Sequence, residues 1–323
     1  MDKKKVGLLF PGQGSQYVGM GKSLYESYTA AREIFEIGKD VTGIDIASVC
    51  FDGPIEQLTE TSVCQVAIFA VSIAAWRVLF ENLTVCPVFG AGHSLGEYSA
   101  HAAAGTFSIR DGFALVARRA KFMKEASRKN PGAMVAVIGR TLDEVSAMVA
   151  GLAGVTISNV NTNDQIVVGG TIPALSEFSA LCARTKVKVI PLKVSGAFHT
   201  PLMEPARELL HRELESIPMK APAFPVYANC SGELLSETES IRQALVTQIV
   251  RPVLWTKIVE DFRRKNGVFL VELGPKQVLR NLVKKIAPEL EVCNIEDRDS
   301  LLETIRNISY SSEGDSSSGK EQL

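Results

Sequence analysis

The chain has 323 residues, 46% hydrophobic and 22% charged, with a formal net charge of −1 at pH 7. That length provides one large domain or two with an ample core, in the composition of an ordinary globular protein. A near-zero charge removes any global electrostatic case for nucleic acid or a membrane surface as partner. The six cysteines (Cys50, Cys64, Cys86, Cys182, Cys230 and Cys293) lack C-x-x-C spacing and histidine companions. They read as reduced thiols, with no metal site expected.

In chain order, Met1–Lys5 is basic, but the apolar run Val6–Phe10 is too short for a signal-peptide core. Val66–Trp76 falls short of the ~18 apolar residues that suggest a membrane span, so the cytoplasm is the default location. Val6–Phe10 reads as a buried strand, followed by the turn Pro11-Gly12-Gln13-Gly14-Ser15-Gln16 and a helix near Lys22–Lys39. Nucleotide-binding readings of these glycines fail. G-x-G-x-x-G needs Gly where Tyr17 stands, and a Walker loop ending in Gly21-Lys22-Ser23 needs Gly where Gln16 stands. Gln65–Phe80 and Ile109–Ala126 are apolar helices on either side of the stretch Val85–Gly105.

The segment from Asn130 to Leu192 changes character. Strand Met134–Ile138 precedes helix Leu142–Ala150, which opens on the capping-box pair Thr141 and Glu144. Strands Val155–Asn159 and Ile166–Gly169 flank the turn residues Asn161-Thr162-Asn163-Asp164, then come helix Ile172–Ala183 and strand Lys188–Leu192. The order β-α-β-β-α-β predicts a ferredoxin-like subdomain over 128–195. It would be inserted in a large α/β domain, 1–127 with 196–308, with a site in the cleft between them. Within the large domain, helix Met203–Ser216, strand Pro225–Asn229, helix Ser240–Ile249, strand Val268–Leu273 and helix Gln277–Ile286 complete the alternation. That alternation predicts a largely parallel sheet covered on both faces. Residues 309–323 are Ser-, Gly- and charge-rich and are expected to be a disordered tail.

The chemistry starts at Gly92-His93-Ser94-Leu95-Gly96. A β-leaning stretch precedes this G-x-S-x-G and a helix-rich one follows, which is the strand, sharp turn and helix of a nucleophile elbow. Ser94 would stand at a helix N-terminus, where free N–H groups can hold an oxyanion. A serine nucleophile needs a base, and the chain has four histidines. His93 adjoins Ser94 and points to the opposite face. His101 lies about 10 Å along the helix, beyond hydrogen-bond reach. His211 sits among charged residues on a solvated helix face. His199, in the loop Val194-Ser195-Gly196-Ala197-Phe198-His199-Thr200-Pro201, remains as general base and acid.

Five pieces together resemble the malonyl-CoA:acyl-carrier-protein transacylase family of fatty-acid synthesis and the related acyltransferase domains of polyketide synthases. They are Phe10–Gln16, Gly92–Tyr98, Arg119 within Arg118–Met123, Gly196–Thr200, and Glu272-Leu273-Gly274-Pro275. They run from residue 6 to about residue 290, nearly the whole chain. The resemblance implies an α/β-hydrolase-like large domain and ping-pong transfer of malonyl from malonyl-CoA, through a Ser94 ester, to the phosphopantetheine thiol of acyl carrier protein. No cofactor is implied, and a monomer is expected. By the same resemblance the backbone N–H groups of Gln13 and Leu95 form the oxyanion hole. A main-chain carbonyl near Gln248 orients His199, and Phe198 is the bulky residue that crowds an α-methyl group.

Arg119 is the family's carboxylate-binding arginine, in register with Phe122-Met123. Its guanidinium can grip the malonyl carboxylate with two parallel hydrogen bonds, which a lysine cannot copy. Arg118 reads as a solvated neighbour. Ala120 stands where the family often has Gly. Asn161 and Asn163 line the cleft or serve only the turn. Arg184, Lys186, Lys188 and Lys193 form a basic stretch that faces an acidic carrier protein or simply water. Alternatives are an acyltransferase serving a polyketide synthase, a serine (thio)esterase, and a catalytically idle docking subunit. Acyl hydrolases related to the family tend to lack the arginine, which weighs against the esterase.

Overall fold

A computed structural model describes residues 3–265 and 267–310. Among them ten strands form two sheets. The strands are β1 (Lys4–Phe10), β2 (Val85–Gly92), β3 (Gly132–Ile138), β4 (Val155–Thr162), β5 (Gln165–Thr171), β6 (Lys188–Pro191), β7 (Val226–Tyr227), β8 (Leu234–Leu235), β9 (Phe269–Leu273) and β10 (Val292–Ile295). The larger sheet has the order β10-β9-β1-β2-β7-β8, parallel throughout except for β8, which turns back on β7.

A parallel sheet must be covered on both faces, and alternation along its strands divides the side chains between two cores. Val6, Leu8 and Phe10 of β1 and Phe269, Val271 and Leu273 of β9 enter one core with helices Thr61–Asn82 and Ile109–Lys129. Leu9 and Leu270 point the other way, onto Trp255, Ile258, Val259 and Phe262 of helix Trp255–Phe262 and Leu279 and Val283 of helix Val278–Ile286. Helix Thr61–Asn82 is apolar on all sides because it is enclosed on all sides. It runs well past the Val66–Trp76 stretch, and its 22 residues are long and apolar enough to cross a membrane. Of its most apolar window, 78% is buried inside this fold.

The smaller sheet has the order β4-β5-β3-β6, each neighbouring pair antiparallel. Helices Leu142–Ala150 and Ile172–Arg184 cover one face through Val145, Leu175, Phe178 and Cys182. Met134, Ala136 and Val167 on the opposite face join the larger core. Main-chain bonds tie the two sheets' neighbourhoods together: Val160 N–H donates to the Val253 carbonyl (2.8 Å) and Val253 N–H to the Ser158 carbonyl (3.0 Å). The capping box at Thr141 and Glu144 forms as its spacing predicts.

Several expectations need correction. The helix expected over Lys22–Lys39 is two, Lys22–Ser27 and Thr29–Thr42, because Tyr28 takes an extended conformation between them. The strand expected over Pro225–Asn229 is only Val226–Tyr227; the Asn229 N–H goes to the Glu97 carboxyl instead of a neighbouring strand. Helices Ile46–Asp52 and Trp255–Phe262 and strands β8 and β10 add to the expected elements. Helix Arg298–Tyr310 carries order through Ser309 and Tyr310, two residues into the expected tail. The remainder of that tail, 311–323, lies outside the described residues.

Candidate active site

The carboxyl ends of β1 and β2 lie side by side, with Phe10 opposite Gly92. Sites collect at such strand ends. Past Gly92 the chain turns through Ser94, whose φ of 53° and ψ of −104° place it outside the regions ordinary residues favour, and enters helix Leu95–Ala103. The flanking glycines are steric requirements. A Cβ on Gly92 would lie 1.9 Å from the Gly96 carbonyl carbon, and one on Gly96 would lie 1.9 Å from the Phe10 carbonyl oxygen. The turn after β1 is held just as closely, since a Cβ on Gly12 would lie 2.3 Å from the His93 carbonyl oxygen.

His199 follows β6 in a loop and also has positive φ, 59°. Its Nε2 lies 2.7 Å from Ser94 Oγ and its Nδ1 lies 2.8 Å from the Gln248 carbonyl oxygen. A carbonyl only accepts, so Nδ1 carries the proton and Nε2 presents its lone pair to the serine hydroxyl. Burial, then the Arg119 charge beside it, pushes the imidazole down to about 3, so the resting ring is neutral.

Arg119 projects from helix Ile109–Lys129 and is fully buried. Its Nη1 donates to Gln65 Oε1 (2.6 Å), and its Nη2 donates to Ser94 Oγ (3.0 Å) and Gln248 Oε1 (3.0 Å). The guanidinium stacks 5.0 Å from the Tyr98 ring centre, and Nε has no partner among the described residues. Neighbouring Arg118 points outward and pairs with Glu213.

Ser94, His199 and Arg119 share a cleft of about 190 Å³ with Gln13, Leu95 and Phe198. No acceptor among the described residues takes the amide N–H of Gln13 or Leu95. Both residues line the cleft beside the serine. Asn161 lines the cleft and its Oδ1 lies 2.9 Å from His93 Nε2, whereas Asn163 is exposed on the turn outside it. Of the basic stretch, Lys193 reaches the cleft rim; Arg184, Lys186 and Lys188 are exposed away from it. His101 is buried against Thr106, and His211 is exposed near Glu215. Among the described residues no group of three or more His, Cys, Asp or Glu gathers as a metal site.

Sequence reasoning gave no role to Glu97, Gln65, Asn159 or Asn229. Gln65 and Asn159 line the cleft, while Glu97 and Asn229 lie beneath it. Asn229 Oδ1 accepts the Ser94 N–H (2.6 Å), and Asn229 Nδ2 donates to the Gly92 carbonyl (2.7 Å). Its position just past a parallel strand was the available signal.

A family model described as an acyl transferase domain matches residues 8–307. The malonyl CoA-acyl carrier protein transacylase of Bacillus subtilis is 36% identical over 309 residues, covering 94% of this chain and 97% of that protein. The chain belongs to the malonyl-CoA:acyl-carrier-protein transacylase family. The Escherichia coli K12 transacylase is 39% identical over 87% of this chain and 93% of its own length. Among solved transacylases, that of Xanthomonas oryzae superposes with a TM-score of 0.91 at 35% identity, covering 95% and 99% of the two chains. A malonyl-transacylase bound to the holo form of its type II polyketide-synthase acyl-carrier protein matches with a TM-score of 0.89 at 36% identity, covering 94% and 99%.

Proposed function

We propose that this transacylase moves a malonyl group from malonyl-CoA to the phosphopantetheine thiol of an acyl carrier protein, through an ester on Ser94. The observation that carries the reading is the contact of Ser94 Oγ with both His199 Nε2 and Arg119 Nη2. One hydroxyl thus faces a base and a buried carboxylate-binding cation together. Ser94 gives its proton to His199 Nε2 as Oγ attacks the thioester carbonyl, and the Gln13 and Leu95 N–H groups receive the oxyanion. Collapse breaks the C–S bond, and His199 returns the proton to the leaving CoA sulfur. In the second half the carrier thiol gives its proton to His199 and attacks the ester carbonyl. Collapse breaks the bond between the acyl carbon and Ser94 Oγ, and His199 returns the proton to Oγ, leaving the malonyl thioester on the carrier.

Arg119 holds the malonyl carboxylate while Phe198 narrows the space beside the acyl α-carbon. The chemistry needs no cofactor. The large sheet serves as an α/β-hydrolase-like core over 1–127 and 196–308, and its strand order with the elbow after β2 supports this. The order and antiparallel pairing of β3 to β6 support a ferredoxin-like insert over 128–195. The protein acts as a cytoplasmic monomer, with fatty-acid synthesis as its pathway.

Intact mass after brief mixing with malonyl-CoA, and again after adding phosphopantetheinylated carrier protein, tests the reading. A malonyl adduct that persists in buffer and moves to the carrier is expected, with none on Ser94→Ala. An adduct that decays equally with and without carrier, releasing malonate, makes the protein a hydrolase.

A further inference from the structure

Beneath the cleft lies a carboxyl group with no part in the steps above. Glu97 stands in the first turn of helix Leu95–Ala103 and is completely buried. Its Oε2 accepts Gln248 Nε2 (2.7 Å) and the Asn229 N–H (3.0 Å), while Oε1 has no partner among the described residues. Gln248 Nε2 also donates to the Ser94 carbonyl (2.9 Å), and Gln248 Oε1 accepts Arg119 Nη2. Each partner of that carboxamide has a single character: the Ser94 carbonyl and Glu97 Oε2 accept here, and the arginine donates. The amide therefore has one orientation and one position that satisfy all three. Glu97 Oε2 also holds the main chain of Asn229, whose side chain holds the Ser94 N–H.

We infer that Glu97 is a positioning residue for acyl selectivity: its Oε2 anchors the Gln248 carboxamide, which in turn holds Arg119 Nη2 beside Ser94 Oγ. The inference rests on Arg119 receiving the malonyl carboxylate. What matters is an acceptor oxygen at that point, because one oxygen makes both contacts and the other makes none. Reach and charge can be separated. Glu97→Gln can keep a carbonyl oxygen at the Oε2 position, with its amide nitrogen where Oε1 was. Glu97→Asp keeps the carboxyl but is one methylene too short.

The experiment measures kcat and KM for malonyl-CoA and acetyl-CoA with carrier protein, for the full chain and for Glu97→Gln, Glu97→Asp and Gln248→Met. Gln248→Met removes the carboxamide and leaves the main-chain carbonyl that holds His199. Glu97→Gln is expected to keep the malonyl-over-acetyl preference within about threefold. Glu97→Asp and Gln248→Met should each lower it by about tenfold or more, mainly through KM for malonyl-CoA, consistent with a displaced charge-assisted hydrogen bond. Combining Glu97→Asp with Gln248→Met should cost no further preference, since the first acts through the second. A role in stability alone would lower malonyl and acetyl transfer equally and leave the ratio untouched; that result overturns the inference. So does retention of preference by Asp with loss by Gln, which would make the charge the active property. If the unsubstituted protein forms no malonyl adduct, the transacylase reading fails first, and that outcome is distinct from any result on the variants.

Discussion

At the scale of single residues, the site is built from groups whose surroundings leave them one chemical role. The Gln248 carbonyl fixes the His199 tautomer, and burial beside Arg119 keeps the ring neutral. A neutral Nε2 aimed at Ser94 Oγ is ready to accept a proton across the physiological range, and no carboxylate is needed to orient it. Among the described residues no acidic side chain hydrogen-bonds to Arg119, so a substrate carboxylate would be its first. Arg119→Ala should therefore lower kcat/KM for malonyl transfer by about 100-fold or more, the loss of a bidentate charge-assisted pair, and acetyl transfer by only a few-fold. Steady-state kinetics with the two thioesters checks this; equal losses would make the arginine structural.

At the scale of elements, the elbow is a packing solution in which β2, the helix after it and the end of β1 approach within contact distance of bare backbone. Gly92 and Gly96 occupy the two points where a side chain has no room. Gly96→Ala would drive a methyl group into the Phe10 carbonyl, which no rotamer can relieve. The expected result is a loss of about 4 kcal/mol or more of stability, or no soluble protein. Urea unfolding measures it. Gly151→Ala is the control: with open space around it and φ of −88°, it should unfold within about 0.5 kcal/mol of the parent.

At the scale of the whole molecule, two buried carboxyl groups couple stability to pH. Burial raises Glu97 and Glu272 to about 7 each, against partial compensation by the N–H groups that donate to them. A carboxyl held above its unfolded value keeps its proton longer in the native state than in the unfolded chain. Its contribution is full below about pH 4.5 and is lost as pH rises through 7. Each carboxyl should contribute a fall in stability between pH 5 and 8 of at most about 3 kcal/mol at 1.36 kcal/mol per pKa unit. Below pH 6.5 this is opposed by buried His199 and His101, which burial holds down at about 3 and which favour the unfolded chain as it takes up their protons. Glu97→Gln has no such proton to lose. Its Tm relative to the parent should therefore rise from pH 5 to pH 8, and a gap independent of pH would refute the assignment.

Much of this was legible along the chain. The elbow is readable because its strand, turn and helix are contiguous, so Ser94 and both glycines follow from local steric rules. His199 emerged because only four histidines compete and three are disqualified by geometry close to Ser94 or by charged neighbours. The roles of Gln13, Leu95, Arg119, Phe198 and Gln248 come from the resemblance, since residue type and spacing by themselves assign none of them. The shortness of β7 escapes because the Asn229 N–H goes to Glu97, and a partner so distant in the chain leaves no periodic trace. Glu97 stands in plain view within the motif, yet its importance depends on Gln248 and Asn229, more than 130 residues away. The G-x-S-x-G turn around Ser94 and the alternation of layers rest on short-range sterics and periodicity, so they are legible in the chain alone. How Ser94, His199, Arg119 and Glu97 meet is visible only in three dimensions, because hydrogen bonds among residues far apart in the chain exist only once the sheet has brought its strand ends together.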